Sequence, residues 1–490
     1  MNDIVTRIAP SPTGDFLHLG NLRTMLYNYF LAKRNGGKFY VRLEDTDRNR
    51  YNEKFLNHFK DTCDWLGIVP DASYWNPDKQ IGSFIQSERD YSDYVKILLD
   101  KGLAYYAFDS NEELDDLRAK GLKYDSTTRM TMKNSYTLSK SSVRDRIDKG
   151  DKYVIRFSVT ANREITFTDQ ILGDITINTN TLDDKVLVKS NGIGSYHLCN
   201  VCDDHNMGIT HVLRGNEWVN STPLHILIYE ALGWKVPIFA HLPLILNPNG
   251  KGKLSKRSAD KYGFPISPIG YIDQNGNYKN GWKDLGYDPE ALMNTISLLG
   301  WNPGNDVEIM KLSEMIDSFS LERVQKSGAR FDMDKAKWIN SQHLKMTENS
   351  QLLEYVDIKD DRYSQSELYQ IIDLAKNRSD FKYEMNDIVK LFFDKPLFKS
   401  SDKSISIDFI SVFSKFLDRI SNLDLKDKDI VKDTIYKLCK DSGTKMGKVM
   451  PGLRTVLVGG VAGPDLLTTM SILGEKEVSE RLELAISNLV

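Results

Sequence analysis

An imidazole at the mouth of a helix and a group of ammonium side chains on a glycine-flanked loop are the two places in this sequence that suit phosphate chemistry. The first is His18, Leu19, Gly20 and Asn21. Free N–H groups and the positive end of the helix dipole favour phosphate oxygens there, and Gly14 and Gly20 allow a sharp path and the close approach of a nucleotide. The second is Lys253, Leu254, Ser255, Lys256 and Arg257, which follow the apolar run LPLILN and the turn residues NPNGKG. Such ammonium groups could close over a polyphosphate and follow the charge that develops on a departing pyrophosphate. One contact at about 4 Å is worth roughly 4 kcal/mol at an effective dielectric near 20, before desolvation is subtracted. Taken singly, each has a plainer reading: a core histidine beside a turn, and a solvated basic loop.

The elements around them give the two motifs a common frame. Ile4 to Ile8 reads as a strand, APSPTGDFLHLG as a loop, and NLRTMLYNYFLAKRNGG as a helix with Asn21 as N-cap and Gly36 as its stop. KFYVRLED alternates Phe39, Val41 and Leu43 against Tyr40, Arg42 and Glu44, a second strand with Glu44 and Asp45 at its end. This βαβ unit opens a doubly wound fold, whose ligands lie outside the carboxyl ends of the strands. From about Gly102 to Ser190 the pattern turns to mixed helix and short strands such as YVIRFSV and DITINTN, read as an insertion. GITHVLRGNEW returns to a strand ending at Arg214, STPLHILIYEALGW is a helix, and beyond about residue 330 segments such as SELYQIIDLAKN and DIVKDTIYKLCKDSG are amphipathic helices.

The bulk properties exclude several classes. A chain of 490 residues, 40% apolar, predicts about three domains. The first residues carry no basic and apolar leader pattern, and no apolar run approaches the roughly 20 residues of a bilayer span, so the expectation is a cytoplasmic protein. Cys63, Cys199, Cys202 and Cys439 are too sparse for a disulfide framework. Cys199 and Cys202 lack the second pair a zinc site needs, which leaves buried small apolar residues. The net charge of −3 does not itself announce a nucleic-acid partner.

In this order and on these supports, the two motifs resemble the signature motifs of class I aminoacyl-tRNA synthetases. APSPTGDFLHLG, LILNPNGKGKLSKR, RLEDTD, QSER, SYHLCNVCDDHNMGITHVLRGNEW, LLGW, FDMDKAKWIN and GPDLL resemble the bacterial glutamyl-tRNA synthetases over nearly the whole chain. The resemblance implies an α/β fold: a split Rossmann-type catalytic domain at 1–102 and 189–245, an inserted acceptor-end domain at 103–188, a junction domain at 246–328 that carries the KLSKR loop, and an all-helical anticodon-binding region at 329–490. It implies a monomer that uses ATP with Mg²⁺ to join glutamate to tRNA(Glu), and leaves open whether tRNA(Gln) is charged too. His18 and Lys256 would stabilise the transition state, and Ser11, Thr13, Gly14, His18, Gly20, Asn21 and Lys253 to Arg257 would hold ATP. Arg7, Ala9, Ser11, Glu44, Tyr196, Asn200 and Arg214 would surround glutamate. Arginines 7 and 214 could each fork onto a carboxylate while Glu44 accepts from the ammonium, with Arg7 expected on the side-chain carboxylate.

The sequence departs from that family in three places. AYYAFDSNEELDDL has no cysteine where many relatives carry a zinc cluster, so no structural zinc or other metal site is expected. Gly192, Ile193, Gly194 and Ser195 replace Gly-aromatic-Pro-Thr before Tyr196, which loses a rigid proline, and NPDKQIGSFI at 76–85 is a longer insertion than the family pattern. A glutaminyl-tRNA synthetase would end in β-barrels, and the truncated relatives that glutamylate a modified tRNA base lack an anticodon-binding region. A small-molecule nucleotidylyltransferase leaves the helical third unexplained, and a non-enzymatic RNA-binding module leaves His18, Lys256 and both arginines unexplained.

Overall fold

Val5–Ile8 (β1) buries three of its four residues, and the computed structural model carries the chain from it into the Pro-rich loop and then Leu19–Arg34 (α1). Residues 3–396, 409–460 and 463–489 are described; 397–408, 461–462 and 490, inside the expected helical region, and the first two residues lie outside them. The cap of α1 is His18 rather than Asn21. Its Nδ1 accepts from Gly20 N–H at 2.9 Å, and its carbonyl accepts from Asn21 N–H at 2.8 Å and Leu22 N–H at 3.0 Å. An imidazole nitrogen thus takes the place of the usual Ser, Asp or Asn oxygen. Asn35 closes the helix, and Gly36 turns the chain at φ +63°, where a Cβ would be strained.

Lys38–Val41 (β2) pairs in parallel with β1, and Ala72–Ser73 (β3) with β2. Apolar and polar residues alternate after Lys38, yet both faces are covered: Phe39, Tyr40, Val41 and Arg42 are all buried. Arg42 sits inside because carboxylates surround it. Glu53–Leu66 (α2) and Ser92–Asp100 (α3) flank this half. Between them the insertion at 76–85 extends the sheet edge, since Leu43 and Ile85 form a parallel bridge and Phe84 packs edge-on against Tyr40.

Ala104–Ala107 (β4), Val154–Phe157 (β5) and Val186–Val188 form an antiparallel sheet, with Asn111–Ala119 (α4) and Lys140–Asp148 (α5) between its first two strands. Within this part Tyr105, Ala107, Leu117 and Tyr124 build a small core, and Arg129 pairs with the buried Asp184 at 2.9 Å. Glu164–Asp169 (β6) and Gly173–Asn178 (β7), although inside the stretch read as an insertion, add to another sheet, β7-β6-β10-β9. With Val186–Val188 as β8, the remaining members are His211–Gly215 (β9) and Ile238–Leu242 (β10), joined by Thr222–Leu232 (α7) after Tyr196–Asn206 (α6). Asp169 of β6 lies opposite Phe239 of β10.

The two half-sheets meet at β1 and β9, where Thr210 N–H donates to Val5 O at 3.0 Å. From β1 the chain builds outward through β2 and β3, and from β9 it builds the other way through β10. That reversal is the switch point of a doubly wound sheet, where a crevice opens at the strand ends. Ile245–Leu246 (β11) leads into Lys256–Tyr262 (α8) and the hairpin Tyr271–Ile272 (β12) with Tyr278–Lys279 (β13). Pro289–Ser297 (α9) and Leu312–Ser318 (α10) pack on α1, and Ala329–Arg330 (β14) returns in parallel to β11. Tyr27 Oη donates to Ser297 O at 2.9 Å and Arg23 Nη1 to Leu299 O at 3.0 Å, which ties this segment to the central helix.

The chain forms two compact units, one of 1–285 with 289–333 and one of 286–288 with 334–490. The second has no strand among the described residues. Its helices, Gln365–Lys376, Met385–Phe393, Ile410–Ile420, Lys428–Asp441 and Met446–Val458 among them, bury Phe392, Phe413, Phe416, Ile435, Val456 and Met470 in one core. Among the described residues no helix is long and apolar enough to cross a membrane.

Candidate active site

A cleft of about 610 Å³ opens at the switch point. The end of β1 contributes Arg7, Ala9, Ser11 and Thr13; the start of α1 contributes His18, Gly20 and Asn21; the end of β2 brings Glu44, α6 brings Tyr196 and Asn200, β9 brings Arg214, and the loop after β11 brings Lys253, Leu254, Ser255 and Lys256. Two residues expected at the site do not line it. Gly14 turns its carbonyl to Asn52 Nδ2 at 3.1 Å, and Arg257, the second residue of α8, is exposed. An added Cβ at Gly14 meets nothing, whereas at Gly20 it would press on His18 Nδ1, so the second glycine lets the imidazole fold back over the helix start.

One end of the cleft is ionic. Arg7 donates from Nε and Nη2 to the two oxygens of Asp204, both at 3.0 Å, and from Nη2 to Asn200 Oδ1 at 3.2 Å. Arg42, wholly buried, donates to Asp204 at 2.7 Å, to Asn200 Oδ1 at 3.1 Å and to Glu44 at 3.3 Å, and lies 3.7 Å from Asp203. Asp203 also accepts from Gln86 and Tyr91 and faces Arg89 at 3.5 Å. Burial alone would raise Asp204, but Arg7 and Arg42 outweigh it and hold the carboxyl below its usual range. Burial wins at Asp203 and Glu44, whose carboxyls sit above theirs. Tyr196, Asn200 and Asp204, four residues apart on α6, share the helix face turned to these groups. The sequence contained that signal in its i, i+4, i+8 spacing; Arg42 and Asp203 had none beyond being charged in apolar runs.

Arg214 stands apart. Among the described residues no carboxylate lies within ion-pair distance of it, and its partners are Tyr196, His225, His241, Thr222 and the carbonyl of Trp218. Burial lowers its pKa from the ordinary arginine value and pushes the neighbouring Tyr196 phenol up to about 12. At Gly194, which stands where the family pattern has proline, an added Cβ would collide with Cys199 Sγ on α6, so the turn into Tyr196 runs close against that helix. Cys199 and Cys202 are buried and free, their thiols raised by burial.

At the other end, burial and then the charge of Lys253 lower His18 to a pKa of about 4. It is therefore neutral near pH 7. Because its Nδ1 accepts from Gly20 N–H, the ring proton is on Nε2 and is available to a ligand. Ser255 caps α8, Leu254 is buried beneath, and Lys253 reaches Glu217 at 3.4 Å. Lys256 rests over the rings of Tyr271 and Phe16, 5.4 and 5.7 Å from their centroids. The arrangement offers an uncompensated guanidinium and a carboxylate at one end, suited to a carboxylate and an ammonium, and cationic and N–H groups suited to a polyphosphate at the other.

The pattern described as "tRNA synthetases class I (E and Q), catalytic domain" matches residues 3–338, and "Anticodon binding domain" matches 342–486. A glutamate–tRNA ligase of Amoebophilus asiaticus is 41% identical over 99% of this chain and 98% of its own, and one of Flavobacterium psychrophilum is 42% identical over 99% of both. Among solved structures, a glutamate tRNA ligase from Elizabethkingia meningosepticum in complex with its amino acid superposes with a TM-score of 0.90 at 42% identity, over 100% of both chains. The glutamate-tRNA synthetase of Elizabethkingia anophelis gives 0.85 at 41%, over 99% of this chain and 100% of that one.

Proposed function

The chain belongs to the glutamate–tRNA ligases, within the class I tRNA synthetases for glutamate and glutamine, and from that premise we propose that it activates glutamate with ATP and transfers it to the 3′-terminal adenosine of tRNA(Glu). The observation that supports this reading is the cleft itself, which joins the His18 helix start and the lysine loop to an end lined by Arg7, Glu44 and Arg214 at one switch point.

In the first step a carboxylate oxygen of glutamate attacks the α-phosphorus of ATP in line and the bond to pyrophosphate breaks. In the second the ribose hydroxyl of the RNA end attacks the acyl carbon and AMP leaves. No side chain acts as nucleophile; catalysis is by positioning and charge. His18 Nε2–H donates to the α-phosphate as a neutral group, and Lys253, Ser255 and Lys256 follow the charge on the departing pyrophosphate. Ser11, Thr13, Gly20 and Asn21 line the nucleotide end. Mg²⁺ bound to the triphosphate would neutralise charge on its oxygens as pyrophosphate departs.

Glu44 accepts from the substrate ammonium, with Ala9, Ser11, Tyr196 and Asn200 around it. For the side-chain carboxylate the geometry favours Arg214 over the expected Arg7. Asp204 already neutralises Arg7, whereas Arg214 is buried among neutral partners and gains its counter-ion only with substrate. Glutamine, with a neutral amide, would leave that charge unpaired. We take the enzyme to act in the cytoplasm as a monomer. The test is aminoacylation with labelled glutamate or glutamine on transcripts of tRNA(Glu) and tRNA(Gln). Glutamate on tRNA(Glu) alone is the expected result; glutamate on both marks a wider RNA specificity, and transfer of glutamine overturns the reading.

A further inference from the structure

Arg214 can only donate hydrogen bonds, so each atom it touches must offer a lone pair. Its Nη2 meets Thr222 Oγ1 at 2.8 Å and Trp218 O at 3.3 Å, and its Nη1 meets Tyr196 Oη at 3.1 Å. The other two acceptors are ring nitrogens: His241 Nε2, 3.0 Å from Nε, and His225 Nδ1, 3.3 Å from Nη1. A neutral imidazole offers a lone pair on one nitrogen only, and its other nitrogen decides which. For His241 that nitrogen is Nδ1, 2.6 Å from Asp169 Oδ2, with both side chains fully buried. Asp169 is itself fixed by the main-chain N–H groups of Ile171 at 3.0 Å, Leu172 at 2.9 Å and His241 at 3.1 Å.

The contrast inside the cleft shows what this arrangement achieves. Arg7 is held directly by a carboxylate, which aims it and also cancels its charge. Arg214 is held by an imidazole, and the carboxylate stands one ring further back. A carboxylate in direct contact would also cancel the charge that a ligand's carboxylate pairs with; a neutral ring nitrogen takes one N–H and leaves that charge uncompensated.

We infer that Asp169 and His241 are positioning residues for Arg214: the carboxylate keeps His241 in its Nδ1–H form, and the Nε2 lone pair aims the guanidinium at the ligand's side-chain carboxylate while leaving its charge for that carboxylate alone. The pair therefore sets the preference for a carboxylate over a carboxamide side chain. This rests on Arg214 as the glutamate-side-chain contact proposed above. It gives a role to a strand, β6, that lies far in sequence from both nucleotide motifs.

The test is glutamate-dependent exchange of pyrophosphate into ATP in the presence of tRNA(Glu) transcript. KM for glutamate, KM for ATP and kcat are measured on the full chain, with glutamine as competing substrate. In Asp169→Asn the amide presents N–H groups to His241, which must move its proton to Nε2 and so confront Arg214 with a second donor. The expected result is a rise in glutamate KM of about 10- to 100-fold, the worth of one hydrogen bond to a charged group, with a parallel loss of discrimination against glutamine and an unchanged ATP KM. In Asp169→Asn combined with His241→Gln, the Oε1 of the glutamine accepts from Arg214 whatever faces its amide, and most of the glutamate affinity should return. A merely structural role for Asp169 predicts a lower melting temperature with unchanged glutamate KM, and no rescue; that outcome overturns the inference. If Asp169→Asn does not fold, His241→Gln against His241→Leu decides, since equal glutamate KM values overturn it equally. Absence of any glutamate-dependent exchange in the unaltered protein would instead overturn the functional reading beneath it.

Discussion

Arg42 offers the sharpest test of how the ionic end of the cleft is held together. In Arg42→Leu a guanidinium with no exposure is replaced by an apolar side chain, and its contacts at 2.7 Å with Asp204 and 3.3 Å with Glu44 are lost. At about 3 Å and an effective dielectric near 20, each such contact is worth roughly 5 kcal/mol before desolvation. Breaking a buried pair while leaving its partners inside costs about 3–5 kcal/mol net. The first unit has roughly 330 residues, so its unfolding entropy near the melting point is about 0.7 kcal/mol per degree, and a loss of about 4 kcal/mol lowers its melting temperature by about 6 °C. The sign of the pH dependence follows from the groups left behind. Glu44 and Asp203 already sit above their ordinary pKa through burial, and without Arg42 they rise further. The folded variant then binds more protons than the unfolded chain, so its deficit against the unaltered protein shrinks from pH 8 toward pH 5. Scanning calorimetry at both pH values reads the two effects. A melting temperature within about 1 °C of the unaltered protein at pH 8 would refute the idea that this network organises the cleft.

Lys256→Ala should lower the rate of adenylate formation by about 10²- to 10³-fold with little change in glutamate KM, measured by pyrophosphate exchange; an unchanged rate removes Lys256 from the chemistry. Gly194→Ala should cost about 1–3 kcal/mol through the collision with Cys199 and shift Tyr196, visible as a lower melting temperature and weaker glutamate binding; wild-type values for both would mean the turn adapts freely. His18 and His197 have folded pKa values of about 4, both lowered first by burial, against 6.5 in the unfolded chain. The folded state binds fewer protons across that window, so their contribution is present above pH 6.5 and is lost as pH falls toward 4, at up to about 1.4 kcal/mol per pH unit for each group before solvent screening. His197→Gln should flatten the slope of stability between pH 6.5 and 4, and an unaltered slope would show that the ring is solvated.

The end of the cleft formed by His18 and the lysine loop was legible in the chain because it is local. His18, Gly20 and Lys253 to Lys256 belong to short runs whose flanking strand and helix patterns come from backbone geometry and near neighbours. Even so, the pattern placed the helix cap at Asn21, since a histidine cap depends on its ring folding back onto Gly20 N–H, a matter of rotamer rather than of residue type. The alternation of KFYVRLED marked a strand and its two faces, but periodicity reports the pleat and not what covers each face; Arg42 lies inside because Asp203 and Asp204, on a helix far along the chain, surround it. Arg7 and Arg214 both read as arginines at strand ends able to fork onto a carboxylate, with Arg7 expected on the side-chain one. Arg7 finds Asp204 197 residues away, while Arg214 finds His241, with Asp169 behind it, on neighbouring strands. Residue types and their spacing determined which groups were available for the chemistry. Which buried charge meets which, and therefore which guanidinium keeps its charge for a ligand, was decided by the packing of distant segments, because ionic and hydrogen-bond partnership depends on distances of a few ångströms that no sequence separation encodes.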